Sequence, residues 1–164
     1  MTETRWLNAD ERRAWLAQVS INTLLPAALD TQLHHARKLS LFDYNVLAML
    51  SEADGRYLPM SELAARTSAS LSRLSHVVTK LQTRGWVERR PHPGDARVTT
   101  AHLTDAGMET IVELAPGHVE AVRSLFLDAL SEDDVADLAR IGEKIVGRLD
   151  KDHWILRESG QPKG

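Results

Sequence analysis

The chain has no cysteine. That excludes a disulfide framework, thiolate zinc sites and a thiol redox switch. No apolar run reaches the ~18 residues of a membrane span. The opening MTETRWLNADERR has no apolar signal core, so the expected location is the cytoplasm. There is no internal repeat and no low-complexity segment. A glycine-rich phosphate loop, an HExxH zinc motif and a nucleophile elbow are all missing, and His118-x-Glu120 alone is no catalytic constellation. The expectation is therefore a non-enzyme without a cofactor. His34, His35 and His118 lack a ligand-spacing motif, so no metal is expected either.

What is present suits one domain with a substantial core, or two tightly merged lobes, in 164 residues. Apolar content is 43% and charged content 26%, ordinary for a globular chain. The net charge of −3 does not advertise a nucleic-acid binder, but it averages over a segregation. Between positions 66 and 102 the cations Arg66, Arg73, Lys80, Arg84, Arg89, Arg90 and Arg97 face only Glu88 and Asp95. Between 105 and 137 acids dominate, with Arg123 the sole cation. A cationic middle is suited to tracking phosphates, and an acidic flank to keeping the rest of the body off them.

Within that middle, SASLSRLSHVVTKLQTR at 68–84 has helical periodicity. Leu71, Leu74, Val77, Val78 and Leu81 share one face, and Ser72, His76, Thr79 and Thr83 the opposite one, with Arg73, Lys80 and Arg84 along a flank. An amphipathic surface helix shows similar patterning. The residues after position 84 favour a helix whose apolar back packs on a core and whose polar front enters a major groove. Gly85 is a helix stop. WVERR at 86–90 reads as a strand, PHPGD at 91–95 as a tip longer than a two-residue turn, and RVTTAHL at 97–103 as a returning strand. Arg90 and Arg97 stand at the base of that tip, where a narrow minor groove would attract an arginine.

Around this unit lie long apolar helices. Asn8 is a candidate cap for a helix to about Lys38, with Trp15, Leu16, Val19, Leu24, Leu25, Leu29 and Leu33 on its apolar side and a kink expected at Pro26. Trp6 and Leu7 before it need a partner to leave water. So short a chain cannot cover such a helix on all sides, and wrapping around a second copy is the economical solution. Ser40 and Asp43 form a capping box for the next helix; residues 53–57 read as a loop. A short helix after Pro59 leads to Thr67 or Ser68 as the start of the 68–84 helix, the spacing of a helix-turn-helix. Thr104 caps a long helix with a bend expected at Pro116-Gly117, and Ser131 caps a last helix carrying Val135, Leu138, Ile141, Ile145 and Leu149. From about Asp152 the chain reads as a frayed polar tail.

The ordered motifs resemble the MarR family of bacterial transcriptional regulators. The matching residues are the Leu39-Ser40 entry to a helix ending at Leu50, then Ser61-Glu62-Leu63-Ala64 and Ser70-x-Ser72. They continue with Leu81-x-x-Arg84-Gly85-Trp86-Val87-Glu88-Arg89, Asp95-x-Arg97 and Leu103-Thr104-x-x-Gly107. The resemblance implies a mainly α fold with a small β-hairpin wing: a winged helix-turn-helix at 39–103, flanked by dimerisation helices at 1–38 and 104–164. It implies a homodimer on a pseudo-palindromic DNA duplex, acting as a ligand-responsive regulator, with repression expected. By position, Ser70, Ser72, Ser75, His76 and Thr79 would meet bases and adjacent phosphates. Lys80 and Arg84 would meet phosphates, Arg90 would meet DNA from the wing, and Asp95 would orient the wing arginine Arg97. His76 stands where the family often has arginine and cannot make its bidentate contact to guanine, so Arg73 is expected to take that over. Trp15, His34, His35, Arg37, Tyr44 and His118 are the implied lining for a small aromatic or anionic effector. The alternative is a winged helix used for dimerisation or protein contact without DNA.

Overall fold

The computed structural model describes residues 3–158. The chain forms α1 (Ala9–Arg37), α2 (Leu41–Glu52), a short strand β1 (Tyr57–Pro59), α3 (Met60–Arg66), α4 (Leu71–Thr83), β2 (Val87–His92), β3 (Asp95–Leu103), α5 (Asp105–Leu125), α6 (Glu132–Leu149) and α7 (Trp154–Glu158). Helix starts are set by side-chain caps. Asn8 accepts the Glu11 N–H at 2.8 Å while Glu11 accepts the Asn8 N–H at 2.9 Å. The same reciprocal pattern joins Ser40 to Asp43 and Ser131 to Asp134, and Thr104 Oγ1 accepts the Gly107 N–H at 3.0 Å. Each such cap is worth about 1 kcal/mol. Two stops use the left-handed region: Lys38 after α1 (φ 57°) and Gly85 after α4 (φ 76°).

The core is built where α2, α3, α4, the sheet and the first half of α5 meet. Leu33, Leu39, Val46, Leu47, Leu50, Leu63, Leu74, Val78, Leu81 and Val87 are fully withdrawn from water. Ala101, Leu103, Ile111 and Leu114 close it from β3 and α5. Each large aliphatic side chain so buried contributes roughly 1.5–3 kcal/mol. The remaining helices are treated differently. Helix α1 buries only Leu29 and Leu33, and α6 buries nothing. Trp6, Leu7, Trp15, Leu24, Val119, Leu125, Leu138, Ile141 and Ile145 are exposed. Among the described residues no helix is long and apolar enough to cross a membrane.

Several expectations need correction. The 53–57 loop yields to a 3-10 turn, Asp54–Arg56, and then β1, which pairs with β3 (Leu58 opposite Ala101) and makes the sheet three-stranded in the order β1-β3-β2. Helix α4 starts at Ser70 as cap, because Ser68 takes a left-handed φ of 51° and cannot belong to a helix. The wing tip is tight: His92 pairs with Asp95, leaving only Pro93 and Gly94 between them, with a bulge at Pro91/His92. Helix α1 is not split at Pro26, and α1 and α5 each continue as one helix past their proline. The expected frayed tail begins with an ordered turn, α7, which packs on the body; the rest of that tail, from 159 on, lies outside the described residues.

Gly107 shows how closely α5 seats on the sheet. A Cβ there would fall 2.2 Å from the Trp86 carbonyl oxygen and 2.6 Å from Leu103 Cδ1. Gly107→Ala should therefore cost about 1–3 kcal/mol through backbone displacement. Urea unfolding would measure this, and a midpoint equal to that of the parent would reject the tight seating.

Candidate nucleic-acid interface

Helix α4 projects from the body because only its rear is apolar. Leu74, Val77, Val78 and Leu81 are buried, while Ser72, Ser75, His76 and Thr79 are exposed on the front. Leu71, expected on the buried face, is 57% exposed at the outer end of the helix. Ser70 caps the N-terminus, its hydroxyl accepting the Arg73 N–H at 3.2 Å. An exposed helix N-terminus edged with hydroxyls has free N–H groups and a positive dipole end, a fit for phosphate oxygens.

The flank cations are engaged within the chain. Lys80 Nζ lies 2.5 Å from Oδ2 of Asp43, whose side chain is almost fully buried. Arg84 donates to the Arg37 carbonyl at 3.0 Å and stacks 3.9 Å over the Trp86 ring. The Arg73 guanidinium lies 4.0 Å from the centre of the Phe42 ring. These three side chains tie α4 to α1, α2 and the start of β2, so the sequence positions assigned to phosphate or base contact also hold the helix in place. All three remain on the exposed surface of the chain.

The wing stands beside the helix. Arg97 makes a bidentate pair with Asp95, both contacts 3.0 Å, and the Arg97 N–H adds a third at 3.1 Å. The Arg97 side chain is nonetheless 90% exposed, so the pair aims the guanidinium without hiding it. The hydrogen bonds from Arg97 hold the Asp95 carboxyl below the ordinary aspartate range and raise the guanidinium in return. Arg90 pairs with Glu88 on its own strand. Its carbonyl accepts from the buried Thr100 hydroxyl at 2.9 Å, and that hydroxyl in turn lies 2.7 Å from His102 Nε2, which must then carry the proton. Burial, with Arg90 nearby, pushes His102 down from the usual histidine value, which keeps this ladder neutral.

Arg89, which is not among the residues expected to contact DNA, joins the wing to α4. Its guanidinium donates to the Ser75 carbonyl (2.7 Å), Ser75 Oγ (3.1 Å), Thr79 Oγ1 (3.0 Å) and Gln82 Oε1 (3.0 Å). Two of the hydroxyls expected to read bases are thus already acceptors for a side chain of β2. Ser72 and His76 lie on the front face outside this clamp, as does Thr83 near the helix end. The only signal in the sequence is the arginine pair Arg89-Arg90; alternation along a strand puts one of the two on the α4 side.

The six residues expected to line an effector pocket fall in four places. His34 and His35 border a cavity of about 560 Å³ together with Asp30, Lys38, Ser40 and Lys80. Arg37 is ion-paired with Glu113 of α5. Tyr44 packs its ring 4.2 Å from that of His118. Burial pushes the His118 imidazole down and the Tyr44 phenol up, favouring the neutral form of both. His118 Nδ1 and the nearby α1 residue Gln32, through Oε1, are buried without a hydrogen-bond partner. Trp15 stands apart on the exposed face of α1.

Comparison with known proteins gives a consistent result. Residues 39–98 match the model described as MarR family. The chain is 30% identical over 137 residues to the HTH-type transcriptional regulator PecS of Dickeya dadantii, covering 83% of this chain and 78% of PecS. It is 29% identical over 108 residues to the transcriptional repressor MprA of Escherichia coli K12, covering 66% of this chain and 61% of MprA. The match thus spans about three-fifths of MprA's length. Among solved structures, Sco3205 of Streptomyces coelicolor, a MarR family transcriptional regulator in complex with DNA, superposes with a TM-score of 0.86 at 38% identity, over 92% of this chain and 94% of that one.

Two outcomes are expected from this geometry. Arg89→Ala should release the wing from α4 and accelerate amide exchange across β2 and β3, at a cost of about 1 kcal/mol; unchanged protection in both strands would show that the clamp holds nothing. The Asp95–Arg97 pair should persist down through the ordinary carboxylate range and be lost only as pH falls through the depressed Asp95 value. Carboxyl NMR titration should therefore give Asp95 a low midpoint, and Arg97→Ala should raise it toward the ordinary range, leaving only the part due to the backbone N–H of residue 97 and to His92. Equal midpoints in the two proteins would refute the pairing.

Proposed function

The chain belongs to the MarR family of transcriptional regulators, and from that premise we propose that it binds a specific, pseudo-palindromic DNA site as a homodimer. The observation that carries the reading is the shared surface of α4 and the wing. Ser72 and His76 are exposed on a helix anchored from behind, and Arg97 is held 90% exposed on a rigid hairpin beside it. The first pair suits base edges in the major groove. The arginine suits the backbone or an adjacent minor groove. The work is non-catalytic and is done in the cytoplasm, where the duplex is. Similarity to proteins named as repressors supports repression as its sign.

The second copy is argued from burial. An 18-residue α6 with no buried residue, and an α1 with Trp15, Leu16, Val19 and Leu24 exposed, are marginal helices in water on their own. Association of these faces with their counterparts would cover them. A two-fold arrangement then sets two α4 helices about 34–36 Å apart, one duplex turn. The cavity beside His34, His35, Lys38 and Lys80 offers cations and imidazoles to an anionic aromatic effector. Lys80 belongs to α4, so a ligand there would act on the helix that meets the bases.

Selection of bound duplexes from a random pool tests the whole reading: half-sites one turn apart are expected, and enrichment of no sequence would end it. Sedimentation should find a dimer; a monomer at micromolar concentration would contradict the symmetry. Arg97→Ala should weaken all duplexes alike and lower the salt slope by about one unit. Ser72→Ala and His76→Ala should instead change the preferred site, by roughly 1–3 kcal/mol per lost base contact. Equal losses on selected and random DNA would count against base readout by α4.

A further inference from the structure

The turn between α3 and α4 opens on a carbonyl, that of Arg66, to which no local backbone N–H donates among the described residues. Thr67 N–H donates to the Leu63 carbonyl, Ser68 N–H to that of Ala65, and Ala69 N–H to that of Ala64. The Arg66 carbonyl is passed by, at the C-terminus of a seven-residue helix. It is met from far away in sequence: the Trp154 indole Nε1–H donates to it at 3.1 Å. The Arg66 guanidinium lies 5.8 Å from the Trp154 ring centre and is fixed by two contacts to Glu62 at 2.8 and 3.1 Å. Trp154 is half-buried in this seat, though it belongs to a turn of only five residues.

The other side of that turn is tied to α6. Leu156 packs over Gly147, its Cδ1 3.6 Å from where a glycine Cβ would stand. The end of α6 and the following loop, through Val146, Leu149 and His153, face Ala64, Ala65 and Ala69 across a groove. The small alanines of the helix-turn-helix leave room for that approach. Helix α6 buries no residue of its own. α7 is therefore the piece of chain that fastens the end of α6 to the turn from which α4 departs.

We propose that Trp154 is a positioning residue for DNA binding: by capping the Arg66 carbonyl it locks the α3–α4 turn to the end of α6, and so fixes the angle at which α4 is presented. Trp154 touches no DNA in this scheme. Its effect is on geometry, so it transmits the spacing of the two terminal-helix lobes to the reading heads. The inference rests on the proposed reading of α4 as the DNA-contacting helix and of α6 as part of the dimer lobe.

The test compares the full chain with Trp154→Phe, which keeps a ring and loses the donor, and Trp154→Ala, which loses both. Amide exchange in the α3–α4 turn, at Ser68, Ala69 and Leu71, should accelerate in both variants, while exchange in α2 and β3 stays at the parent level. Affinity for a duplex selected by the parent should fall about three- to tenfold with the salt slope unchanged, because no phosphate contact is lost. The penalty for a half-site spacing changed by one base pair should shrink, because the heads are no longer held at one angle. Parent-like exchange in the turn would overturn the cap itself, whatever the DNA result. Faster exchange with parent-like affinity and spacing preference would overturn the positioning role. If the parent selects no duplex at all, the proposed function fails, and the exchange data alone decide the cap. Should Trp154→Ala not fold, Trp154→Phe carries all three measurements.

Discussion

Asp43 is a carboxylate withdrawn almost entirely from water, and a charge in that position is tolerable only when it is paired and hydrogen-bonded. Its Oδ2 receives the Ser40 N–H at 2.9 Å and the Lys80 ammonium at 2.5 Å. One group thereby starts α2 and fixes the rotation of α4 about its own axis. Hydrophobic contacts from Leu74, Val78 and Leu81 would tolerate some rolling of α4, since apolar packing is weakly directional. An ion pair to a buried, already capped partner does not. The stability gained from such a pair is small on balance, but removing Lys80 would leave a buried carboxylate without its counter-ion. Together with the Arg73, Arg84 and Arg89 contacts, the pair helps set the orientation of Ser72 and His76 on the front face.

Burial divides the molecule into a self-sufficient part and a dependent one. The winged part has a closed aliphatic core, and α5 is seated on it so tightly that Gly107 has no room for a methyl group. The long helices outside that core keep apolar side chains in water along much of their length. Propensity does not stabilise helices of this kind; packing does. The exposed apolar faces are what the proposed second copy would cover. Polar links also join the two parts: the Arg37–Glu113 pair, the Arg84 to Arg37 hydrogen bond and the Trp154 cap.

Much of this was legible in the sequence, and what was not has physical causes. The hydroxyl and amide caps at Asn8, Ser40, Thr104 and Ser131 act over three residues, so a local pattern reports them faithfully. The rear face of α4 was legible because a period of 3.6 repeats across thirteen residues. β1 was not, since three residues are too few to show alternation and its pairing with β3 lies more than forty positions away. The start of α4 was misplaced because two serines compete as caps, and only the left-handed φ of Ser68 decides for Ser70. Pro26 and Pro116 mark the places where a kink or bend is expected because proline removes one backbone donor, and each helix continues for nine or more residues beyond its proline. The α7 seat and the Arg89 clamp depend on contacts between distant segments, which composition and periodicity do not encode.

The cations illustrate why charge counting alone misleads. A basic middle segment against an acidic flank is a sound argument for a phosphate-facing surface, yet the charges in it are not equivalent. Lys80 is bound to Asp43, Arg84 is spread over Trp86, Arg73 over Phe42, and Arg89 is enclosed by acceptors on α4. Arg97 is the one whose partner aims it outward and leaves it nine-tenths exposed. A charge that organises the protein still contributes to the field felt by an approaching duplex, since that field sums over all charges at a distance. A direct phosphate contact needs a side chain able to leave its present partner, and the buried Asp43 makes that exchange costly for Lys80 while Asp95, on the surface, makes it cheap for Arg97. Long-range attraction would therefore draw on the whole segment, whereas under the proposed reading close contact would fall to the wing and to the N-terminal turn of α4.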